Sequence, residues 1–275
     1  MPKLLSSSDV AQYERDGYLF PLRIMSTEDA ARVRAEVEDV EQNRLDDIGG
    51  KLRHKPHLFL KSLDAIVRNE KLLDAVEDLI GPNILCWAAA FFTKEANDPA
   101  FVSWHQDATY WGLSEPDVLT AWVALSPASI ESGAMKVVPA SQAAGQLPHV
   151  ETYQDNNLLT RGQEVQVDVD ESTAVDMTLE PGEASFHHVR LVHGSGPNQT
   201  DDRRIGYAIR YIPTRVHQLL ARDSAMLVRG RDEYGHFELE QSPDADFSPQ
   251  SICNYLDANE RHNAILYQDA EQNRG

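Results

Sequence analysis

Two textures divide the chain. Up to about residue 82 apolar positions recur three to four apart; from about residue 84 they come in short alternating or continuous runs. The first texture predicts helices. "SSSDVAQYERDGYL" sets serine caps before a short amphipathic run, and "STEDAARVRAEVEDVEQN" offers Ser26 as N-cap with Asp29 three residues on, close to a capping box. Val33, Val37 and Val40 then share one face. "LDAIVRNEKLLDAVEDLIGPN" repeats the pattern with Ile66, Leu72, Leu73, Val76 and Leu79, and stops at Gly81-Pro82.

The second texture includes "ILCWAAAFFTKE", "VLTAWVALSPAS", "EVQVDVD" and "RIGYAIRYIPT", separated by Gly, Pro, Asn and Asp. Short strands in succession, without helices between them, predict an antiparallel barrel or jelly roll. The polar stretch "PASQAAGQLPHVETYQDNNLLTRGQ" predicts a long connection of the kind that covers a site. After Pro213 the pattern loosens, with a helix expected from about Asp257. The expectation is one domain over residues 1–275, mainly β with a helical layer: helices in 1–82, a β-barrel core in about 84–213, and a C-terminal extension in 214–275.

Composition changes this picture little but narrows the partners. A chain of 275 residues buries enough surface to fold without staples, and its two cysteines, Cys86 and Cys253, make no C-x-x-C motif. A disulfide framework or a zinc-cysteine site is therefore not expected, and a reducing compartment fits best. The net charge of −19, from 25 Lys+Arg against 44 Asp+Glu, repels phosphate backbones and argues against a nucleic-acid partner. No apolar run approaches the roughly 20 residues of a spanning helix, and the N-terminus lacks a signal-peptide core. The expectation is a cytoplasmic protein with a small-molecule partner and no membrane partner, monomeric or homodimeric.

Candidate chemistry centres on "VSWHQDATYW", residues 102–111. In a strand, residues i and i+2 point the same way, so His105 and Asp107 would face the interior with Gln106 turned outward. They offer two corners of a metal site, or simply a polar strand end; a 2-His-1-carboxylate site for non-haem Fe(II) needs one more imidazole. His54, His57, His149, His217, His236 and His262 sit in polar or loop-like surroundings. "FHHVRLVHGSGPN" supplies His193 just before a Gly-rich turn, with His187 and His188 read as strand residues. In "RRIGYAIRYIPT", alternation puts Arg204, Gly206, Ala208 and Arg210 on one face and Ile205, Tyr207, Ile209 and Tyr211 on the other. A buried arginine demands an anion, and its planar fork suits a carboxylate.

"HQD" at 105–107, "AWVAL" at 121–125, "GAMKVVPASQ" at 133–142, "HGSGPN" at 193–198 and "RRIGYAIRYIP" at 203–213 give the chain a resemblance. It resembles the phytanoyl-CoA dioxygenase family of Fe(II)- and 2-oxoglutarate-dependent oxygenases, over about Ala90 to Pro213. The resemblance implies a double-stranded β-helix barrel (jelly-roll, cupin-like) with N-terminal helices packed on it. It implies His105, Asp107 and His193 as iron ligands, and Arg204 with Ser195 on the distal carboxylate of 2-oxoglutarate. Trp122 would line the cosubstrate, although its spacing from His105 is one residue short. Tyr110 and Trp111 match aromatic substrate contacts, and Asn198 is placed to reach the substrate. Arg210 and Arg261 are read either as structural residues or as partners of a small anionic head group. Relatives that halogenate replace the metal carboxylate with a small residue; Asp107 is present, so hydroxylation is expected.

The implied reaction consumes O2 and 2-oxoglutarate, releases succinate and CO2, and leaves a hydroxyl on the substrate. Aromatic residues in acidic surroundings would suit an ammonium group, and the arginines an anion, which favours a zwitterion such as an aminophosphonate or a quaternary ammonium compound. A natural-product or acyl-CoA hydroxylase is the alternative within the family. From another class come a cupin-like protein that binds a metal and a carboxylate without turnover, and a cupin isomerase that tolerates zinc.

Overall fold

The computed structural model describes residues 2–52, 54–107, 111–152, 155–159 and 163–266. Helix α1 (Ser7–Asp16) carries a full capping box between Ser6 and Asp9, and ends at Gly17 in the left-handed conformation. Strand β1 (Tyr18–Arg23) follows at once, then α2 (Thr27–Asn43), whose Ser26 hydroxyl accepts from the Asp29 amide. Val33, Val37 and Val40 are its buried stripe. The next helical run is split: α3 (Lys61–Val67) and α4 (Glu70–Ile80) are separated where the Asn69 side chain caps α4 on the Leu72 amide.

The strands continue as β2 (Ile84–Lys94), β3 (Val102–His105), β4 (Leu119–Ala124), β5 (Met135–Val137), β6 (His149–Glu151) and β7 (Gln163–Val165). Then come β8 (Val175–Met177), β9 (Glu183–His188), β10 (His193–Ser195), β11 (Arg204–Pro213), β12 (Ser224–Arg229) and β13 (Glu238–Leu239), and α5 (Pro249–Leu266) closes the described chain. The larger sheet runs β1-β9-β4-β11-β2-β12-β13 and the smaller one β3-β10-β5-β8. Apart from the short parallel β12–β13 pair, the strands are antiparallel, as in a cupin-like jelly roll.

Strand β11 sits between β4 and β2 and shows why the helices lie where they do. Ile205, Tyr207, Ile209 and Tyr211 form one core with Leu72, Val76 and Val37 from the helical layer. The Tyr211 hydroxyl, fully buried there, donates to the Val67 carbonyl at 2.8 Å, so its burial leaves no polar atom stranded. The opposite side of β11 faces the cavity between the two sheets. A bulge where Arg210 pairs with Ala88 and Tyr211 with Cys86 inserts Trp87, so that Trp87 and Ala88 both join the inner cluster.

Three expectations need correction. Residues 18–23, inside the region read as helical, form a strand paired with β9, because Gly17 ends the helix and an aromatic, β-type run follows. The sheet does not end at Pro213, where the barrel core was expected to stop, since β12 extends it beside β2. Helix α5 begins at Pro249, eight residues before the expected start, since proline favours the first helical turn. The long connection after residue 138 carries the β6–β7 hairpin and lies over Gln106.

Candidate active site

Strands β3 and β10 are neighbours, and His105 lies directly opposite His193. Their rings are 4.1 Å apart by centroid. Asp107 falls just beyond the end of β3, where its amide donates to the Val189 carbonyl at 3.0 Å. One ligand atom from each of His105, Asp107 and His193 lies within 4.8 Å of the others. Gln106 faces away from this group but not into solvent. It is buried, donating to the Gly145 and Arg190 carbonyls and accepting from the Leu147 amide, which corrects the outward placement expected from alternation.

Hydrogen bonding orients both imidazoles. His105 Nδ1 is 2.9 Å from the Ser103 carbonyl and 3.1 Å from that of His193, and His193 Nδ1 is 2.9 Å from the Leu191 carbonyl. A carbonyl only accepts, so Nδ1 carries the proton in each ring and Nε2 presents its lone pair to the cavity. Burial, with His105 alongside, keeps His193 well below the usual imidazole range and therefore neutral. Burial pushes the Asp107 carboxyl up, but the His105 and His187 rings at 3.4 and 3.9 Å, with His193 and Arg210 nearby, hold it well below the ordinary carboxylate range. Two imidazoles and one carboxylate, each already oriented, fit a divalent iron with open positions.

Around this group is a cavity lined also by Phe92, Thr120, Trp122, His187, Arg204 and Arg210. At one end Arg204 is buried, with its Nε unpartnered, and burial lowers its guanidinium to about 10. Trp122 faces it at 5.3 Å, and the register of β4 against β11 and β9 turns this ring inward. The Ser195 hydroxyl lines the same end and accepts from Lys94 Nζ at 2.7 Å, while Lys94 also donates to the Gly196 carbonyl. Burial, with Arg204 beside it, brings Lys94 down to about 7. Sequence reasoning passed over Lys94, although a lone lysine closing an eleven-residue apolar strand is a visible signal.

Beyond the three metal-type side chains lies Arg210, buried, with Trp111 at 5.1 Å and Phe92 at 5.7 Å from its guanidinium carbon. His187 also lines the cavity, and neither of its ring nitrogens has a hydrogen-bond partner. Its place on a strand is as expected, but its ring borders the site, which the sequence did not indicate. Tyr110 lies outside the described residues. Asn198 is turned to other work: its amide nitrogen donates to the Glu95 and Asp202 carbonyls and its oxygen accepts from Thr200, so the side chain braces the turn after β10. Arg261 stands on α5, paired with Glu238, and lines a separate surface cleft. His57 and His262 are buried, contrary to their polar sequence surroundings.

A family model described as "Phytanoyl-CoA dioxygenase (PhyH)" matches residues 1–206. A probable alpha-ketoglutarate-dependent hypophosphite dioxygenase of Stutzerimonas stutzeri is 30% identical over 223 residues, 72% of this chain and 76% of its own. Among solved structures, the non-heme monooxygenase ThoJ superposes with a TM-score of 0.86 at 34% identity, covering 96% of this chain and 99% of that one. CytC3 with Fe(II) and alpha-ketoglutarate has a TM-score of 0.68 at 26% identity, over 89% of this chain and 96% of its own.

Proposed function

The chain belongs to the phytanoyl-CoA dioxygenase family, and from that premise we propose that it hydroxylates an unactivated C–H bond of a small polar molecule. It is a 2-oxoglutarate-dependent dioxygenase that uses Fe(II). In this reading His105, Asp107 and His193 hold the iron, and Arg204 with Ser195 holds the distal carboxylate of 2-oxoglutarate. When bound, iron and the 2-oxo acid supply the oxidation, in which O2 is consumed, succinate and CO2 leave, and a substrate C–H becomes C–OH.

The observation that carries this reading is Arg204, a buried cation with no ion-pair partner among the described residues, in the same cavity as the three metal-type side chains. A buried charge without a counter-ion costs several kcal/mol, so a ligand must supply the anion. Ser195 can donate its hydroxyl proton to that carboxylate because Lys94 occupies its lone pair. Trp122 closes the side of the subsite and keeps water from the arginine. The carbonyl bonds to both Nδ1 atoms keep the ligand nitrogens aimed at one point.

Zwitterions such as an aminophosphonate or a quaternary ammonium compound remain the substrates favoured on sequence, and the hypophosphite-oxidising relative lends support to a small oxyanion. The chain acts in this reading as a single cytoplasmic domain; no described helix is long and apolar enough to cross a membrane. The test is oxygen uptake and succinate release on adding Fe(II) and 2-oxoglutarate, with the anaerobic charge-transfer band as a binding readout. Absence of both turnover and band would end the oxygenase reading, a band without turnover would leave a cupin-like binding protein, and activation by Zn²⁺ would point to an isomerase.

A further inference from the structure

Strand β11 carries two buried arginines on its cavity side, six residues apart, which at strand rise is about 20 Å. Cosubstrate chemistry uses Arg204 alone. Arg210 is as deeply placed, has an unpartnered Nε, and makes no ion pair among the described residues. Trp111 and Phe92 hold its guanidinium in place without neutralising it. The carboxylate whose field it feels is Asp107, which the metal claims. Once Asp107 shares its charge with a cation, Arg210 has no counter-ion of its own.

The strands beside it extend the pattern. Arg210 pairs across β11–β4 with Thr120, and Thr120 pairs across β4–β9 with His187. All three side chains are buried and line the cavity, and among the described residues Thr120 Oγ1 and both His187 nitrogens lack hydrogen-bond partners. A guanidinium, a hydroxyl and an imidazole N–H thus stand in one row, one strand apart, within reach of the metal-type residues. His187 Nε2 is 3.9 Å from Asp107 Oδ2. Three neighbouring buried donors without acceptors are costly in an empty protein and well matched to an oxyanion.

We propose that Arg210, Thr120 and His187 form the cradle for an oxyanion group of the substrate, a carboxylate or a phosphorus oxyanion, which sets the reacting carbon beside the iron. This rests on the oxygenase reading and deepens it. The substrate's anion and the cosubstrate's anion then lie at opposite ends of one cavity, each with its own arginine. Among the described residues, the Trp111 face that an ammonium group would use already carries Arg210.

The test uses the full chain with Fe(II) under anaerobic conditions, with and without saturating N-oxalylglycine to fill the cosubstrate end. Methylphosphonate, propionate and tetramethylammonium are titrated separately, read by calorimetry and by the emission of Trp111 and Trp87, which stand 5.2 Å apart. The expected result is saturable binding of at least one anion with N-oxalylglycine present, weakened about tenfold or more in Arg210→Gln, by less in Arg210→Lys, and several-fold in Thr120→Val. Affinity for N-oxalylglycine stays unchanged in Arg210→Gln, which also shows that the variant is folded. The stronger of the two anions identifies the head group. Equal anion binding by wild type and Arg210→Gln, no anion binding by wild type, or saturable binding of tetramethylammonium in place of both anions would overturn the proposal. Failure of N-oxalylglycine to bind, or indifference of its affinity to Arg204→Gln, would instead sink the cosubstrate assignment, while the titrations without it would still decide the role of Arg210.

Discussion

Lys55 and Arg204 are both buried cations, and they are treated in opposite ways. Lys55 donates to Glu240 at 2.6 Å and to the Ser224 carbonyl at 2.7 Å, so the protein supplies its own anion and acceptor. Burial would push Glu240 up, yet Lys55 and His57 bring it to about 2. That cluster ties the segment before α3 to β12 and the segment after β13. Arg204 has an aromatic ring on one side and no ion pair among the described residues. A charge satisfied from within serves the fold; a charge left unsatisfied waits for something from outside. Charge burial alone would not tell the two apart.

The contrast can be broken by experiment. The largest effect should come from Glu240→Ala, which strands Lys55 in the interior and should cost about 3–5 kcal/mol, seen as a fall of roughly 10 °C in Tm. Arg204→Gln should do the reverse to stability, leaving the ligand-free Tm unchanged or raised, while weakening 2-oxoglutarate binding about 30-fold or more by calorimetry. A large loss of Tm in Arg204→Gln would make that arginine structural and erase the distinction.

A smaller effect tests Lys94, brought to about 7 by burial and Arg204. Below that pH it is charged and adds to the pull on a carboxylate; above it the charge is lost. Affinity for 2-oxoglutarate should therefore fall several-fold between about pH 6 and pH 8.5, and the dependence should vanish in Lys94→Met. The smallest effect belongs to a surface pair such as Arg23–Glu183 at 3.0 Å, where Arg23→Ala should change stability by less than about 1 kcal/mol in a denaturant melt.

The two faces of β11 were legible because strand alternation is a backbone property, and the structure puts the isoleucines and tyrosines in the core and the arginines in the cavity. His105, Asp107 and His193 were legible for a similar reason: two lie two residues apart at a strand end, and the third precedes a Gly-rich turn. His187 was not, since what makes it notable is the register with Thr120, which no local pattern encodes, and Lys94, visible as a lone lysine closing an apolar strand, gains its meaning only from the register with Arg204. Asn198 and Arg261 illustrate the converse. Both residue types can bind a substrate, but the first is held by backbone groups of its own turn and the second by Glu238. Strand β1 escaped because an edge strand between two helices has only six residues in which to show its period.

The net charge of −19 and the cavity, where Arg204 and Arg210 have no ion-pair partner among the described residues, point in opposite directions, and the sign of the surface said nothing of the sign within.

Gly206 lies against the Trp122 ring so closely that any Cβ there would overlap the indole. The two positions therefore form a single unit of inheritance. A larger residue 206 requires the indole at 122 to move or be replaced by something smaller, and with the indole goes the ring that faces Arg204.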